Sequence, residues 1–256
     1  MESGFSLLLK GMLSCILKSI DNVKNEGNMK KKDMIWIFVI VLLTLVVVIR
    51  DSRVVFEQLT VDYPYLMGFI KTAILASMGE LLVNRIKNGS YFSEKGIVMK
   101  FLVWGLLGMI FVLIFKVFAS GVVSAQQSGL LPMVNTSFVS SLLTAFLISA
   151  IMNIFFAPTF MLLHRITDGY IKLSDGNIRK ITHVKLDDVV HQIDFKTFIG
   201  FVVLRTIPLF WIPAHTITFM LPENYRVLMA AYLSIALGII LTVSKSIGLK
   251  ANHSKV

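Results

Sequence analysis

Lys71, Glu80 and Arg205 are ionisable residues set inside otherwise apolar runs, and Asn84, Asn153 and His215 are polar residues in similar settings. A charge in hydrocarbon is expensive, so such side chains pair, reach for the boundary, or line a path for something polar. Lys71 and Glu80 fall on opposite faces of one straight helix and cannot pair with each other. At about 1.5 Å of rise per residue, Glu80 lies roughly 7 Å from one membrane boundary and the Arg205 backbone roughly 13 Å from it, a gap that an arginine side chain spans. The spacing leaves three readings open: a Glu80–Arg205 pair, two independent pore-lining groups, or two side chains snorkelling outward. Lys116, near the opposite end of its run, is expected to snorkel. Asn153, just before "FFAP", suits a hydrogen bond between helices.

His215 sits in "PLFWIPAHTITFMLPENYR", which carries prolines at 208, 213 and 222. Each proline inside a helix costs about 3 kcal/mol or more through its missing N–H and its clash with the preceding turn. Membranes tolerate this where neighbouring helices or a wet cavity satisfy the freed backbone groups. Pro208 and Pro213, with Pro158 in "FFAPTFM", are therefore expected to mark helix kinks. Two readings remain: kinks that line a polar cavity with His215 among the polar groups, or kinks that only improve packing. Pro222 is expected in a tight turn between spans.

"HVKLDDVVHQID" spaces His183, Asp187, His191 and Asp194 by four, four and three residues, as if on one helical face. Imidazole and carboxylate at that spacing can converge on a divalent ion. Leu186, Val190 and Ile193 form an opposing apolar face, so an ordinary amphipathic surface helix accounts for the pattern. "HRITD", with His164 and Asp168, is a weaker version. No metal ligand, cofactor-binding residue or catalytic residue is assigned. The chain contains no phosphate-binding glycine loop, nucleophile elbow or zinc-protease helix. An enzyme is not expected, and no cofactor is called for.

The elements that must position these residues are set by composition. The chain has 256 residues, 55% of them hydrophobic and 16% charged, with a mean hydropathy of +0.76. Soluble domains sit near 45–50% apolar and about 25% charged, so an all-α, integral membrane helical bundle is expected. Six runs are long enough to cross roughly 30 Å of hydrocarbon: Met34–Ile49, Tyr65–Val83, Phe101–Val123, Phe138–Leu163, Phe198–Leu221 and Val227–Val243. Lys and Arg number six before Met34, four over 84–100, six over 164–197 and three in the C-terminal tail. The alternate loops hold two, none and one. This bias places both termini in the cytoplasm.

Residues 5–20 repeat Ser6, Lys10, Ser14 and Lys18 on one face against Leu9, Leu13, Ile16, Leu17 and Ile20, which predicts an interfacial amphipathic helix. The organisation is then 1–33 amphipathic helix and basic linker, 34–50 an additional span, 51–245 a helical membrane domain of about five spans, and 246–256 a cytoplasmic tail. The start lacks the features of a secretory signal, and the single cysteine, Cys15, excludes an internal disulfide. Basic loops dispersed between apolar runs point to a lipid bilayer with anionic head groups, in a multi-pass cell membrane protein, and not to nucleic acid. Self-association into a homo-oligomer is left open.

From about Tyr63 onward the order of signals resembles the Mpv-seventeen and peroxisomal-membrane-protein-twenty-two family. "YPYLMGFIKTAILASMGELLVNRI" is similar to that family's opening helix, with Gly79, Glu80 and Asn84 standing at its polar places. "FFAPTFM" resembles the family's phenylalanine-alanine-proline stretch. "WIPAHTITFMLPENYRV" followed by "AAYLS" resembles its closing signature, through Trp211, Pro213, Phe219, Pro222, Arg226, Leu233 and Ser234. The resemblance implies a small multi-helix membrane protein, channel-like or transport-related for small solutes. The competing expectation is a non-conducting scaffold or regulator acting through partner contacts.

Overall fold

The computed structural model describes residue 11 and residues 31–253 other than 93, 135 and 136, with side chains as far as residue 240 and not at 137. The expected interfacial helix at 5–20 and the end of the C-terminal tail lie outside the described residues.

Every regular element among the described residues is helical. The first helix, α1 (Lys31–Val48), is apolar around most of its circumference, and Trp36, Ile40, Thr44 and Val47 form its buried stripe. Ile49 adopts an extended conformation and breaks the helix. The chain leaves at 84° as α2 (Arg50–Asp62). The Ser52 hydroxyl donates to the carbonyls of Val46 (2.9 Å) and Ile49 (3.2 Å), bridging the break, and the Ile49 carbonyl also accepts from the Arg53 amide of α2 (2.9 Å). Sequence reasoning treated 50–62 as a connecting loop. Its amphipathic pattern, with Phe56 buried, was the available signal.

Pro64 opens α3 (Pro64–Asn88) from its first turn, where a missing N–H costs nothing, and Gly89 closes it in the left-handed region at φ 69°. Small residues dominate the buried surface of α3: Gly68, Thr72, Ala73, Ala76, Ser77 and Gly79. They let α3 lie at the centre, packed along α4 (Ile97–Gln127) and α10 (Glu223–His253). A Cβ on Gly108 of α4 would stand 2.3 Å from the Gly68 carbonyl oxygen, so the two backbones touch.

The expected fourth span, Phe138–Leu163, is divided. α5 (Ser137–Phe155) ends at a break on Phe156, and α6 (Ala157–Leu173) begins with Pro158 in its first turn. Pro158 therefore starts a helix and does not kink a continuous one. Two short helices, α7 (Ile178–Ile181) and α8 (Leu186–His191), lead to α9 (Phe195–Phe219). Over Phe198–Trp211 α9 is wound as a π-helix with Pro208 inside it, and α-helical winding resumes at Ile212, with Pro213 in the first turn. The Ile212 amide reaches back five residues to the Ile207 carbonyl, as π winding requires.

Among the described residues, four helices have the length and apolarity to cross a membrane: Pro64–Asn88, Ile97–Gln127, Phe138–Phe155 and Phe195–Phe219. A fifth is added if α1 and α2 count as one bent span. The sixth expected span falls in α10, where side chains are described only to residue 240.

Two apolar clusters organise the bundle. One joins α1, α3 and α10 through Trp36, Ile40, Leu75, Met78, Tyr232 and Ile235. The other joins α4, α5, α9 and α10 through Phe115, Ile148, Met152, Phe219 and Val227. Contacts sort the connections into two ends. Asp33 meets Arg85, and Lys95 meets Asp175, at the Gly89 end. Lys116 meets Glu223, and α2 meets the start of α10, at the opposite end.

Candidate functional site

The polar residues gather at three levels between these ends. At mid-height, Asn153 of α5 and His215 of α9 are both buried. The Asn153 amide donates to the Ser149 carbonyl one turn back at 2.8 Å and lies 3.1 Å from His215 Nδ1. With the amide donating, His215 carries its proton on Nε2. The Ser149 hydroxyl in turn donates to the Ile212 carbonyl at 2.7 Å, tying α5 to the point where α9 leaves π winding. Trp211 lies against the His215 ring at 5.1 Å between centroids, and Phe115 meets that ring edge-on at 5.7 Å.

Asn153, Trp211, His215 and Phe115 border a mostly apolar cavity of about 80 Å³. Thr72, Asn153 and Trp211 are among its lining residues, and Thr72 Oγ1, Asn153 Oδ1 and Trp211 Nε1 are each buried without a hydrogen-bonding partner among the described residues. They come from three different helices.

At the Gly89 end the cavity wall is Trp104 of α4. Its indole N–H donates to Glu80 Oε1 at 2.6 Å, and its ring lies 4.4 Å from that of His164. Lys100, one turn before Trp104, sits 3.1 Å from Glu80 Oε2 and 2.7 Å from Glu94. His164 Nε2 is 3.9 Å from Glu80 Oε1, and His164 Nδ1 is 3.4 Å from Asp168. Burial, with the Glu80 and Glu94 charges adding to it, pushes the Asp168 carboxyl above its ordinary range against the pull of His164 and Lys100. The hydrogen bond from Lys100 holds Glu94 below its ordinary range. Asn84, also buried, borders a small pocket beside Glu80, Glu94 and Lys100.

At the opposite end, Lys71 is buried. Its ammonium donates to Thr60 Oγ1 at 2.9 Å and to the Asn224 carbonyl at 3.3 Å, with the Phe56 ring 4.5 Å away. It borders a pocket of about 340 Å³ shared with Lys116, Glu223 and Arg226. Lys116 does not simply snorkel there, since it pairs with Glu223 at 2.8 Å. Phe115 borders both this pocket and the mid-height cavity.

The expected residues thus divide. Asn153 and His215 are brought together, Glu80 and Asn84 share one end, and Lys71 serves the other. Arg205 stands apart, exposed on α9. The Glu80–Arg205 pair does not form, because Lys100, Trp104 and His164 surround Glu80 instead. The His183–Asp194 series does not share one helical face. α8 covers only Leu186–His191, and Asp194 turns away to cap α9, accepting from the Thr197 amide at 3.0 Å. Sequence reading missed Thr72, Lys100, Trp104 and Trp211. Lys100 was counted as a loop charge, yet its four-residue spacing from Trp104 was the signal that both face one side of a helix.

Compared with family models, curated proteins and solved structures, the chain finds no match.

Proposed function

We propose that this chain is a six-span protein of the cytoplasmic membrane, with both termini inside, that passes small polar solutes through the bundle. One observation carries the reading: three residues lining the mid-height cavity, one each from α3, α5 and α9, carry a buried polar atom without a partner among the described residues. A buried polar group left unsatisfied costs about 1–3 kcal/mol, so packing alone gives no reason to place three around one space. A solute or water in transit would satisfy them. The ionic groups at either end supply wet approaches, and Phe115 and Trp104 are the barriers between approach and cavity. The order of aromatic and proline signals that resembles the Mpv-seventeen family supports the same reading.

The mostly apolar lining of the cavity favours the competing reading, a non-conducting scaffold. Solute flux into proteoliposomes separates the two. Thr72→Val keeps the side-chain shape and removes one orphaned hydroxyl. On the transport reading it lowers flux severalfold while thermal stability holds or rises by about 1 kcal/mol. Absence of flux in the parent protein, or unchanged flux in the variant, overturns that reading.

A further inference from the structure

We propose that Glu80, His164 and Asp168 form a binding site for a divalent transition-metal ion, with zinc(II) the best match to the donor set. The inference is independent of the transport reading. One ligand atom from each of the three residues lies within 4.8 Å of the other two. His164 and Asp168 are one turn apart on α6 and face the same side, and Glu80 approaches from α3.

The decisive atom is His164 Nε2. It is buried, has no hydrogen-bonding partner among the described residues, and points toward Glu80 Oε1 at 3.9 Å. That distance is too long for a hydrogen bond. Two ligands held about 2.1 Å from a tetrahedral zinc sit roughly 3.4 Å apart, so a small inward movement brings Glu80 into range, and Asp168, which faces Nδ1 at 3.4 Å, completes the arrangement by turning toward the Nε2 side. Histidine nitrogen with two carboxylates is a zinc-type donor set, and three protein ligands leave one position for water or a substrate. The three side chains remain partly exposed, which gives an ion a way in.

The surroundings favour a cation. Glu80, Asp168 and the neighbouring Glu94 set three carboxylates around the ammonium of Lys100, with Lys87 acting on Glu94 from farther off. The groups behind the ligands also orient them: Trp104 holds Glu80 Oε1 and Lys100 holds Oε2, while the Trp104 ring lies against His164. Outer partners of this kind fix ligand geometry in metal sites. Lys100 opposes the ion by charge, and this supplies a signature that a plain ion-pair cluster would lack.

The test is zinc titration of the chelator-treated full-length protein in detergent, by calorimetry, with cobalt(II) absorption as a second readout. One equivalent of zinc should bind. His164→Gln and Asp168→Asn should each weaken it about tenfold or more, and Glu80→Gln likewise. Lys100→Gln should tighten it. His183→Ala with His191→Ala should leave it unchanged. Cobalt(II) bound to the parent protein should give the visible bands of four- or five-fold oxygen and nitrogen coordination, a readout that does not depend on any variant folding. The proposal is overturned by absence of saturable binding, by binding that survives Glu80→Gln, or by binding lost with the two surface histidines.

Discussion

Asp33 and Arg85 form the pair that the cost of buried charge would demand, and neither was singled out from the sequence. Arg85 grips the carboxylate with two nitrogens, at 2.8 and 3.0 Å, and both side chains are largely withdrawn from solvent. Arg85 had been read only as a loop charge, because a span boundary drawn at Val83 placed it outside the membrane. Breaking a buried pair costs about 3–5 kcal/mol, since the surviving charge is stranded. Arg85→Met is therefore expected to lower thermal stability in detergent by that order. Adding Asp33→Leu should restore most of the loss, and a double variant no better than the single one would count against the pair. The same reasoning applied to Glu80 and Arg205 failed for a physical reason. Depth from a boundary limits reach, but only the direction a side chain leaves its helix decides who meets whom. Asn153 and His215 were legible as residues of interest because polar groups among apolar ones must go somewhere. That they meet each other required the fold.

At the scale of elements, the helical character and most of the long apolar runs could be read directly, since a run of about 20 apolar residues has few alternatives. What could not be read was where runs divide. Phe156 splits one, Ile49 ends another, and α9 is π-wound over Phe198–Trp211 before its α-helical end packs on α5. These depend on neighbours, not on local preference. The contact of α3 with α4 is the most exposed to test. A Cβ on Gly108 would lie 2.3 Å from the Gly68 carbonyl oxygen and 2.6 Å from Thr72 Oγ1, whereas one on Gly121 of the same helix meets nothing within 4 Å. Gly108→Ala is expected to destabilise the protein by about 1–3 kcal/mol through overpacking and, by displacing Thr72, to distort the cavity. Gly121→Ala should be neutral or mildly stabilising, because alanine favours helix. Equal melting temperatures for the two variants would refute the close approach.

For the whole molecule, the arrangement groups 89–96 with 174–177 and sets α2 and the start of α10 at the other end. The charge bias predicts the same grouping and adds a direction. Single cysteines introduced at Gly89 and Gly129 on a Cys15→Ser background should label from opposite sides in intact cells, with Gly129 outside. External labelling at 89 and none at 129 would invert the orientation. The cross-lying α2 then bears on how fast anything can pass. It is fastened beside the Lys71 pocket by Thr60 to Lys71, by Glu57, which accepts from the Tyr225 hydroxyl, and by the buried Phe56 ring against Tyr225, and the chain changes course at Ile49 and Tyr63 on either side of it. On the transport reading, passage waits for that bolt to lift, a motion of the microsecond-to-millisecond class. Turnover would therefore saturate with solute concentration, unlike current through a standing pore. Cysteines replacing Glu57 and Tyr225, joined by a short bis-thiosulfonate cross-linker because the two residues meet only at their side-chain tips, should bring turnover to a halt that a reductant reverses; undiminished passage through the cross-linked protein would show that the traffic does not go that way.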